Sequence, residues 1–306
     1  MKRDDTIPAL AAVLVIAVMV GTAELSGERE IIFPEIAAIA VGMLLSPRRS
    51  WRTDRRRVLL LISLAAALGL GVSVLLPGPL WGKMTLAYVL GQGILLCSGT
   101  SFAPLLSAAV LPVLLGTRSA VYLAAAVGLT GLILLLSALL ERQGLRPREA
   151  FSPLPPPGRR DLPLLLARCL LGAGCVCLAL RLGLRFAVAP PLLVAFTEWM
   201  AQGSPARQKP FRTLGLIVLC AAAGALCRLG LTMGLGLSLT VSALAASLLL
   251  LLLLKGFGMY LPPAGALGIL AMLIPAESLW GYPLQVLCGA AVLMALAWGY
   301  GKIVNS

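Results

Sequence analysis

Residues 237–254 read LSLTVSALAASLLLLLLL and contain no charged side chain. As an α-helix, a run of this length rises about 27 Å, close to the ~30 Å hydrocarbon core of a bilayer. The stretch does not alternate apolar and polar residues, as the strands of an outer-membrane barrel do. It therefore predicts a membrane-spanning α-helix.

The composition of the whole chain predicts the same class. Of 306 residues, 59% are hydrophobic and 12% are charged, and the mean hydropathy is +0.98. Soluble domains carry about 25% charged residues, and disordered chains combine low hydropathy with high charge. These values exclude both classes and predict an all-α polytopic membrane protein whose main partner is the lipid bilayer.

The apolar pattern divides the chain into about twelve hydrophobic segments, six in each half. A bilayer-spanning helix needs about 20 apolar residues, and most of the segments approach that length. The segments are 8–23, 32–45, 58–76, 84–98, 102–115 and 120–140 in the first half, and 163–180, 188–201, 214–232, 237–254, 262–274 and 283–300 in the second.

The distribution of basic residues predicts the orientation. The formal net charge is +13, and cytoplasmic loops of membrane proteins are enriched in Lys and Arg. If all twelve segments span or nearly span, the Arg-rich loops at 46–57, 141–162 and 202–212 fall on the same side as Lys2 and Arg3. We therefore expect a cell (inner, cytoplasmic) membrane protein with both termini in the cytoplasm. Nucleic-acid binding is not expected, because no stretch interleaves basic and aromatic residues on a polar background.

Short matches between the halves favour an internal duplication. Ser46-Pro47 recurs as Ser204-Pro205, and Pro104 aligns with Pro262, both at an offset of 158. Because six spans are an even number, the two copies are expected to run parallel, related by an axis along the membrane normal. Residues 1–23 resemble a signal peptide, but the duplication favours their retention as the first helix. The predicted domains are a first repeat at 1–140, a Pro- and Arg-rich cytoplasmic linker at 141–162, and a second repeat at 163–306.

Four segments, two in each half, are shorter and open on or beside prolines. A helix of about 14 residues rises only about 21 Å, so it starts or stops within the membrane. Short segments at matching places in two halves indicate the substrate site of a transporter. The alternative is that the prolines merely start or kink helices. The candidates at these turns are Pro34, Glu35, Pro104, Ser107, Pro190, Pro191, Pro262, Pro263 and Gly265.

Other polar residues beside the apolar segments are further candidates. Glu35 is either an acid favoured near a helix N-terminus or a proton- or cation-coupling group. Glu198, next to Thr197, is either interfacial or functional. Ser98 and Thr100 either line a site with hydroxyl groups or form a capped turn.

Basic and aromatic residues near segment ends have a simpler interpretation. Long basic side chains can lie along apolar surface and place their charge at the interface, which is expected for Arg168, Arg228 and Lys255. Tryptophan and tyrosine are enriched at the membrane surface. An aromatic belt is therefore expected to include Trp81, Trp199, Trp280 and Tyr282.

The sequence lacks the residue patterns of common catalytic and metal sites. There is no His, which excludes His-based general bases, His metal sites and Ser-His-Asp triads. The seven Cys lie in apolar runs and include no C-x-x-C pair. No phosphate loop or loop D-x-x-D pair occurs. We therefore expect no enzyme activity, no catalytic residue, no metal and no cofactor.

Leu261–Ala266 read LPPAGA, and an apolar helix follows; upstream lies a second prolyl pair, Pro190-Pro191. This order resembles the HPP family of integral membrane proteins, named for a His-Pro-Pro motif followed by Ala-Gly-Ala. The resemblance covers about residues 164–301, and a diverged copy covers 13–140, which implies a tandem HPP-type protein. By position, Leu261 replaces the family's His, and the matching motif residues are Pro262, Pro263, Ala264, Gly265 and Ala266.

The resemblance has a functional implication. Some HPP relatives are implicated in nitrite transport, which suits an anion near helix N-termini. It implies a transporter or permease for a small solute, such as a small inorganic anion, with a pathway between the two halves. Because Leu261 replaces the His, His-linked proton coupling does not carry over. The alternative is a non-transporting membrane scaffold or accessory subunit, with an apolar interior and no hydrated cavity.

Overall fold

A computed structural model of the chain describes residues 6–159 and 161–305. The described residues form helices, turns and loops, and no strand occurs among them. The predicted cytoplasmic residues Lys2, Arg3 and Arg160 lie outside the described residues.

Eight helices are long and apolar enough to cross a membrane, consistent with a multi-pass α-helical membrane protein. All have 18 residues or more, which is near the length that a bilayer core requires. They are α1 (Thr6–Ser26), α3 (Arg55–Leu75), α4 (Leu80–Cys97), α6 (Val121–Arg142), α7 (Leu162–Arg181), α10 (Pro210–Cys227), α11 (Leu239–Phe257) and α13 (Tyr282–Asn305).

Four shorter helices lie where the short proline-led segments were predicted, and they are called the central helices below. None of them has the length of a complete span by itself. They are α2 (Glu35–Ala40, continued by a π-helical turn at Val41–Leu45), α5 (Pro104–Leu115), α8 (Pro190–Met200) and α12 (Pro262–Leu270). A four-residue helix, α9 (Pro205–Gln208), precedes α10, and a π-helical turn at Arg228–Gly234 follows it.

Local sequence signals set several helix ends. The Asp54 side chain accepts a hydrogen bond from the Arg57 backbone N–H at 2.8 Å and so caps the start of α3. Proline occupies the first turn of α5, α8 and α12, where its missing N–H leaves no helical bond unmade. Gly116 ends α5 in the left-handed conformation, at φ 68°, which side chains other than glycine rarely adopt.

The central helices pack against one another in a closed ring. Helix α2 contacts α5 and α12, and α8 contacts the same two helices. All residues of these helices and of the π-turn at Val41–Leu45 are buried except Leu115 and Glu198, which are half-buried. The eight long helices surround this ring. The core of the molecule therefore consists of segments that are too short to span the bilayer alone.

The two halves contain matching side-chain contacts. The rings of Phe33 and Tyr122 meet edge to face at 5.7 Å, and those of Phe186 and Tyr282 meet in the same way at 5.6 Å. The Tyr122 hydroxyl donates to the Ala108 carbonyl at 2.8 Å, and the Tyr282 hydroxyl donates to the Leu267 carbonyl at 2.7 Å.

Matching close approaches of helix backbones also occur. Gly69 of α3 lies against the Ala109 carbonyl of α5, and Gly224 of α10 lies against the Gly268 carbonyl of α12. A Cβ atom at either glycine would overlap that carbonyl, so the helices can only approach this closely because a glycine is present. Helix contacts between the halves match as well: α4 packs on α7, and α11 packs on α1.

Two members of the expected aromatic belt are instead part of the interior. Trp199 and Tyr282 are both 0% exposed. The Tyr282 side chain points inward because its hydroxyl finds the Leu267 carbonyl in the core. Trp81 and Trp280 are 39% and 78% exposed, as expected of belt residues.

The linker between the halves lies against the loop that precedes α3 and the turn that follows α4. Residues 147–159 form no helix or strand. The Leu154 backbone N–H donates to the Gly99 carbonyl at 2.8 Å, and the Arg52 guanidinium donates to the Ser152 hydroxyl at 3.0 Å. The Arg57 guanidinium stacks on the Phe151 ring at 4.6 Å. The linker therefore has no regular secondary structure over these residues and is docked on the neighbouring segments.

Candidate functional site

Glu35 is an acid buried among the central helices. It opens α2 immediately after Pro34 and is 1% exposed. Its Oε1 atom accepts a hydrogen bond from the Ser107 hydroxyl, which lies in the first turn of α5. Its Oε2 atom is buried and has no hydrogen-bond partner. The structure thus brings together two candidates from the two short segments of the first half.

A polar cluster joins the halves at α4 and α8. The Gln92 amide donates to the Thr197 hydroxyl at 2.7 Å and to the Tyr88 hydroxyl at 2.9 Å. All three side chains are at least 98% buried. The Gln92 Oε1 atom is buried without a partner. Sequence analysis selected Thr197 but missed Tyr88 and Gln92, because a single polar residue inside an apolar helix does not show which face it occupies.

Glu198 is half-buried and contacts the first half of the chain. Its Oε1 atom accepts a hydrogen bond from the Trp51 indole at 2.7 Å. Trp51 lies in the predicted cytoplasmic loop at 46–57 and stacks edge to face on Phe102, just before α5. This contact differs from the simple interfacial position considered from sequence, because it ties α8 to a loop of the other half.

Two arginines expected to reach the membrane surface instead bind carbonyl groups at the ends of central helices. The Arg228 guanidinium is buried and donates to the carbonyls of Ala271 and Ile274, at 2.7 Å and 2.6 Å. Arg168 donates to the Thr197 carbonyl near the end of α8 at 2.8 Å. The final carbonyls of a helix lack intrahelical partners, and in a membrane protein only another protein group or water can satisfy them. Lys255 is exposed.

The linker residue Arg146 has the same role at the end of α2. Its guanidinium donates to the carbonyls of Met43 and Ser46, in and just after the π-turn. Arg146, Arg168 and Arg228 thus bind C-terminal carbonyls of three of the four central helices. The fourth, α5, ends at Gly116, and the following Thr117 carbonyl accepts from Ser73 at 2.7 Å.

The remaining candidates make contacts that stabilise turns or helix packing. Ser98 and Thr100 bond to each other at 2.8 Å, and the Ser98 hydroxyl also donates to the Leu95 carbonyl, which supports the capped-turn interpretation. Gly265 packs on α2: a Cβ atom there would lie 3.3 Å from the Ala37 carbonyl oxygen. The prolines at the starts of the central helices are all buried. These are Pro34, Pro104, Pro190, Pro191, Pro262 and Pro263.

One cavity of about 510 Å³ opens beside the central helices. It lies on the predicted extracellular side, because its walls come from the loop before α2, the end of α5, the start of α6 and the chain after α12. Both halves therefore contribute to it. Its charged residues are Arg29, Glu30, Arg228 and Glu277.

Arg29 and Arg228 place two positive charges in this cavity. Within the described part of the chain, neither guanidinium has a carboxylate within ion-pair distance. Sequence analysis missed both residues as a pair, since they lie 199 positions apart (228 − 29). The cavity also contains two acids, so its lining is mixed in charge.

The space between the central helices is otherwise almost filled. A second cavity of about 20 Å³ lies between α1, α2, α11 and α12, and Ser247 is its one polar side chain. That volume is enough for about one water molecule.

The described residues contain no group of three or more His, Cys, Asp or Glu side chains that could hold a metal ion. Comparison of the chain with protein-family models, with curated proteins and with solved structures found no match.

Proposed function

We propose that this protein is a membrane permease for a small solute, with a small inorganic anion such as nitrite as the first candidate. The observation that carries the proposal is the outer cavity, which both halves line and in which Arg29 and Arg228 lie without an acidic partner. We infer that these two guanidinium groups, rather than the acids Glu30 and Glu277 of the same lining, face the solute and raise the local concentration of anions.

The proposed route runs from this cavity between the central helices. These helices end inside the protein, and their terminal groups are satisfied by side chains rather than by a continuous span. Transporters use interrupted helices of this kind around their substrate sites. Because the ring is densely packed, the solute has to be small, and its passage requires the helices to separate.

The proposed architecture is twelve membrane segments in two parallel repeats of six, joined by the linker. The matching contacts of Tyr122 and Tyr282, and of Gly69 and Gly224, support an ancestral duplication. We also propose an HPP-type origin, supported by the LPPAGA motif and the upstream pair Pro190-Pro191. The proposed domain boundaries are 1–140, 141–162 and 163–306.

The proposed orientation places both termini in the cytoplasm of a cell membrane. Labelling with a membrane-impermeant thiol reagent tests it in a variant lacking the seven native cysteines. Cysteine at Gly78 should react in intact cells, and cysteine at Ser50 should react only after permeabilisation. The reverse pattern contradicts the orientation.

The transport proposal is tested with the purified chain in liposomes. Wild type should admit nitrite down its gradient, and Arg29→Glu should reduce the rate by about tenfold at low ionic strength, with a smaller effect at high salt. Arg185→Glu is the matched control, because Arg185 is also exposed on the predicted outer side but does not line the cavity. Equal rates for the two variants contradict a role for the cavity.

The scaffold alternative is favoured by one observation, the almost complete packing of the central helices. A scaffold needs no route through its core, and its buried polar pairs then act only in folding. If wild type moves neither nitrite nor any other small anion while it remains folded in liposomes, the scaffold function is the better account.

A further inference from the structure

The Glu35 carboxyl is held where a permanent negative charge is very unfavourable. One oxygen has a single neutral donor, the Ser107 hydroxyl, and the other is buried without a partner. None of the ion pairs among the described residues involves Glu35. Burying an unpaired carboxylate is costly, whereas the protonated acid loses little, so this side chain is suited to hold a proton.

The surrounding helices offer no compensating cation. Helix α2 packs on α1, α5, α6 and α12, and of these α5 and α12 contain no titratable side chain. On α1 the acid Glu24 bonds to the start of α11 instead. At the far end of α6, Glu141 pairs with Arg49 and Arg55, and Arg142 is exposed. At the near end of α6, Tyr122 is the titratable group beside the Glu35 site, as its contacts with Phe33 and Ala108 show.

Tyr122 links the surroundings of Glu35 to the outer cavity. The tyrosine lines that cavity and also contacts residues next to both members of the Glu35–Ser107 pair. Its hydroxyl donates to the Ala108 carbonyl, one residue after Ser107, and its ring edge meets Phe33. We infer that a rotation of this side chain opens the acid to the cavity.

We propose that Glu35 and Ser107 form a proton-binding site that is loaded from the outer cavity past Tyr122, and that its proton moves together with the transported solute. The coupling part rests on the permease function proposed above. In the loading step, a hydronium ion in the cavity transfers its proton to Oε2 of the carboxylate and becomes water, while the Ser107 hydroxyl still donates to Oε1. Release takes place on the opposite side, where a water molecule accepts the proton from Oε2 and becomes hydronium, and no other bond changes.

The proposal predicts the electrical character of transport. One proton moving with one monovalent anion transfers no net charge across the membrane. Nitrite uptake by wild type should therefore acidify the liposome interior, as reported by an enclosed pH-sensitive dye. It should also be insensitive to an imposed membrane potential.

The decisive variant is Glu35→Gln, which keeps the size of the side chain and removes its acid. Nitrite-dependent proton uptake should be lost in it. The matched control Glu28→Gln removes an exposed acid of the preceding loop and should behave as wild type. If nitrite moves through wild type without protons, or if Glu35→Gln still takes up protons with nitrite, the proposal is wrong while the permease function stands.

Infrared spectroscopy tests the proton site independently of transport. A protonated carboxyl has a C=O stretch distinct from the carboxylate bands. The pH-dependent difference spectrum of wild type should contain one such band that Glu35→Gln removes and that Ser107→Ala shifts by deleting its hydrogen bond. If wild type moves no anion, the permease function fails, and this band still decides on the site. Its absence from wild type at every pH, or its persistence in Glu35→Gln, overturns the proton site.

Discussion

The two halves of the molecule have matching backbone contacts but differ in the side chains that they contribute to the central helices. The accepting carbonyls of Ala108 and Leu267 match at an offset of 159 (267 − 108), so Ala266 lies where Ser107 lies in the first half. Glu35 and Pro190 are the first residues of the matching helices α2 and α8, so Pro190 replaces Glu35. The acid–hydroxyl pair of one half thus corresponds to an apolar pair in the other.

In the polar cluster, the residue contributed by a central helix, Thr197, comes from the second half. By the same alignment of helix starts, Thr197 corresponds to Gly42 (197 − 155), which has no side chain and packs against the Trp51 ring. The first half therefore carries the buried acid, and the second half carries the hydroxyl that Gln92 binds. Aromatic and glycine contacts maintain the same backbone framework in both halves. This framework accommodates either polar or apolar side chains at the matching central positions. Polar groups inside a membrane protein are costly. Glu35 and Thr197 each have no polar counterpart in the other half, which points to function rather than to folding.

The largest expected effect tests whether the framework is equivalent in the two halves. Gly69→Ala and Gly224→Ala should each destabilise the protein by about 3 kcal/mol, because the new Cβ overlaps a backbone carbonyl that cannot move aside. Gly71→Ala and Gly230→Ala are matched controls, since a Cβ there meets no atom within 4 Å. Unfolding in mixed micelles measures the difference. A loss in only one half would contradict the equivalence.

The ends of the central helices should respond unequally. Arg228→Met removes two charged hydrogen bonds to the carbonyls of Ala271 and Ile274 and should cost about 2 kcal/mol of unfolding free energy. Ser73→Ala removes the single neutral bond to Thr117 and should cost about 1 kcal/mol. Arg228→Lys keeps the charge and should recover part of the loss. Equal losses for Arg228→Met and Ser73→Ala would mean that the charge of Arg228 contributes nothing to the cap.

The polar cluster should give a small but measurable coupling. A double-mutant cycle with Gln92→Leu and Thr197→Val should yield about 0.6 kcal/mol, the usual size of a hydrogen bond between membrane helices. Pairing Gln92→Leu with Ser247→Ala should give none, because Ser247 bonds within its own helix. A coupling near zero in the first cycle would show that the cluster is not an energetic unit.

The smallest effect concerns the linker that joins the halves. Phe151→Ala removes the ring under Arg57 and should cost about 0.5 kcal/mol, since the contact is partly exposed. The variant should make residues 147–159 more sensitive to a protease added on the linker side, whereas Phe151→Tyr should not. Unchanged cleavage would show that the backbone bond of Leu154 to Gly99 holds the linker by itself.

The sequence alone determined the class and most of the helices. Uninterrupted apolar runs predict helices in any membrane, because every backbone group must be bonded within its own segment. This local rule predicts the long helices and the four short helices that begin at or beside prolines. The same rule left open whether the short segments span, and their observed lengths of 6 to 12 helical residues fall well below a bilayer core.

Only the tertiary structure decided which polar residues meet. Glu35 and Ser107 lie 72 positions apart and Gln92 and Thr197 lie 105 apart, and nothing in their local patterns links them. Arg168 and Arg228 looked like surface anchors because each stands near a segment end. They turn inward because the central helices end inside the protein, where unpaired carbonyls need a donor that lipid cannot supply.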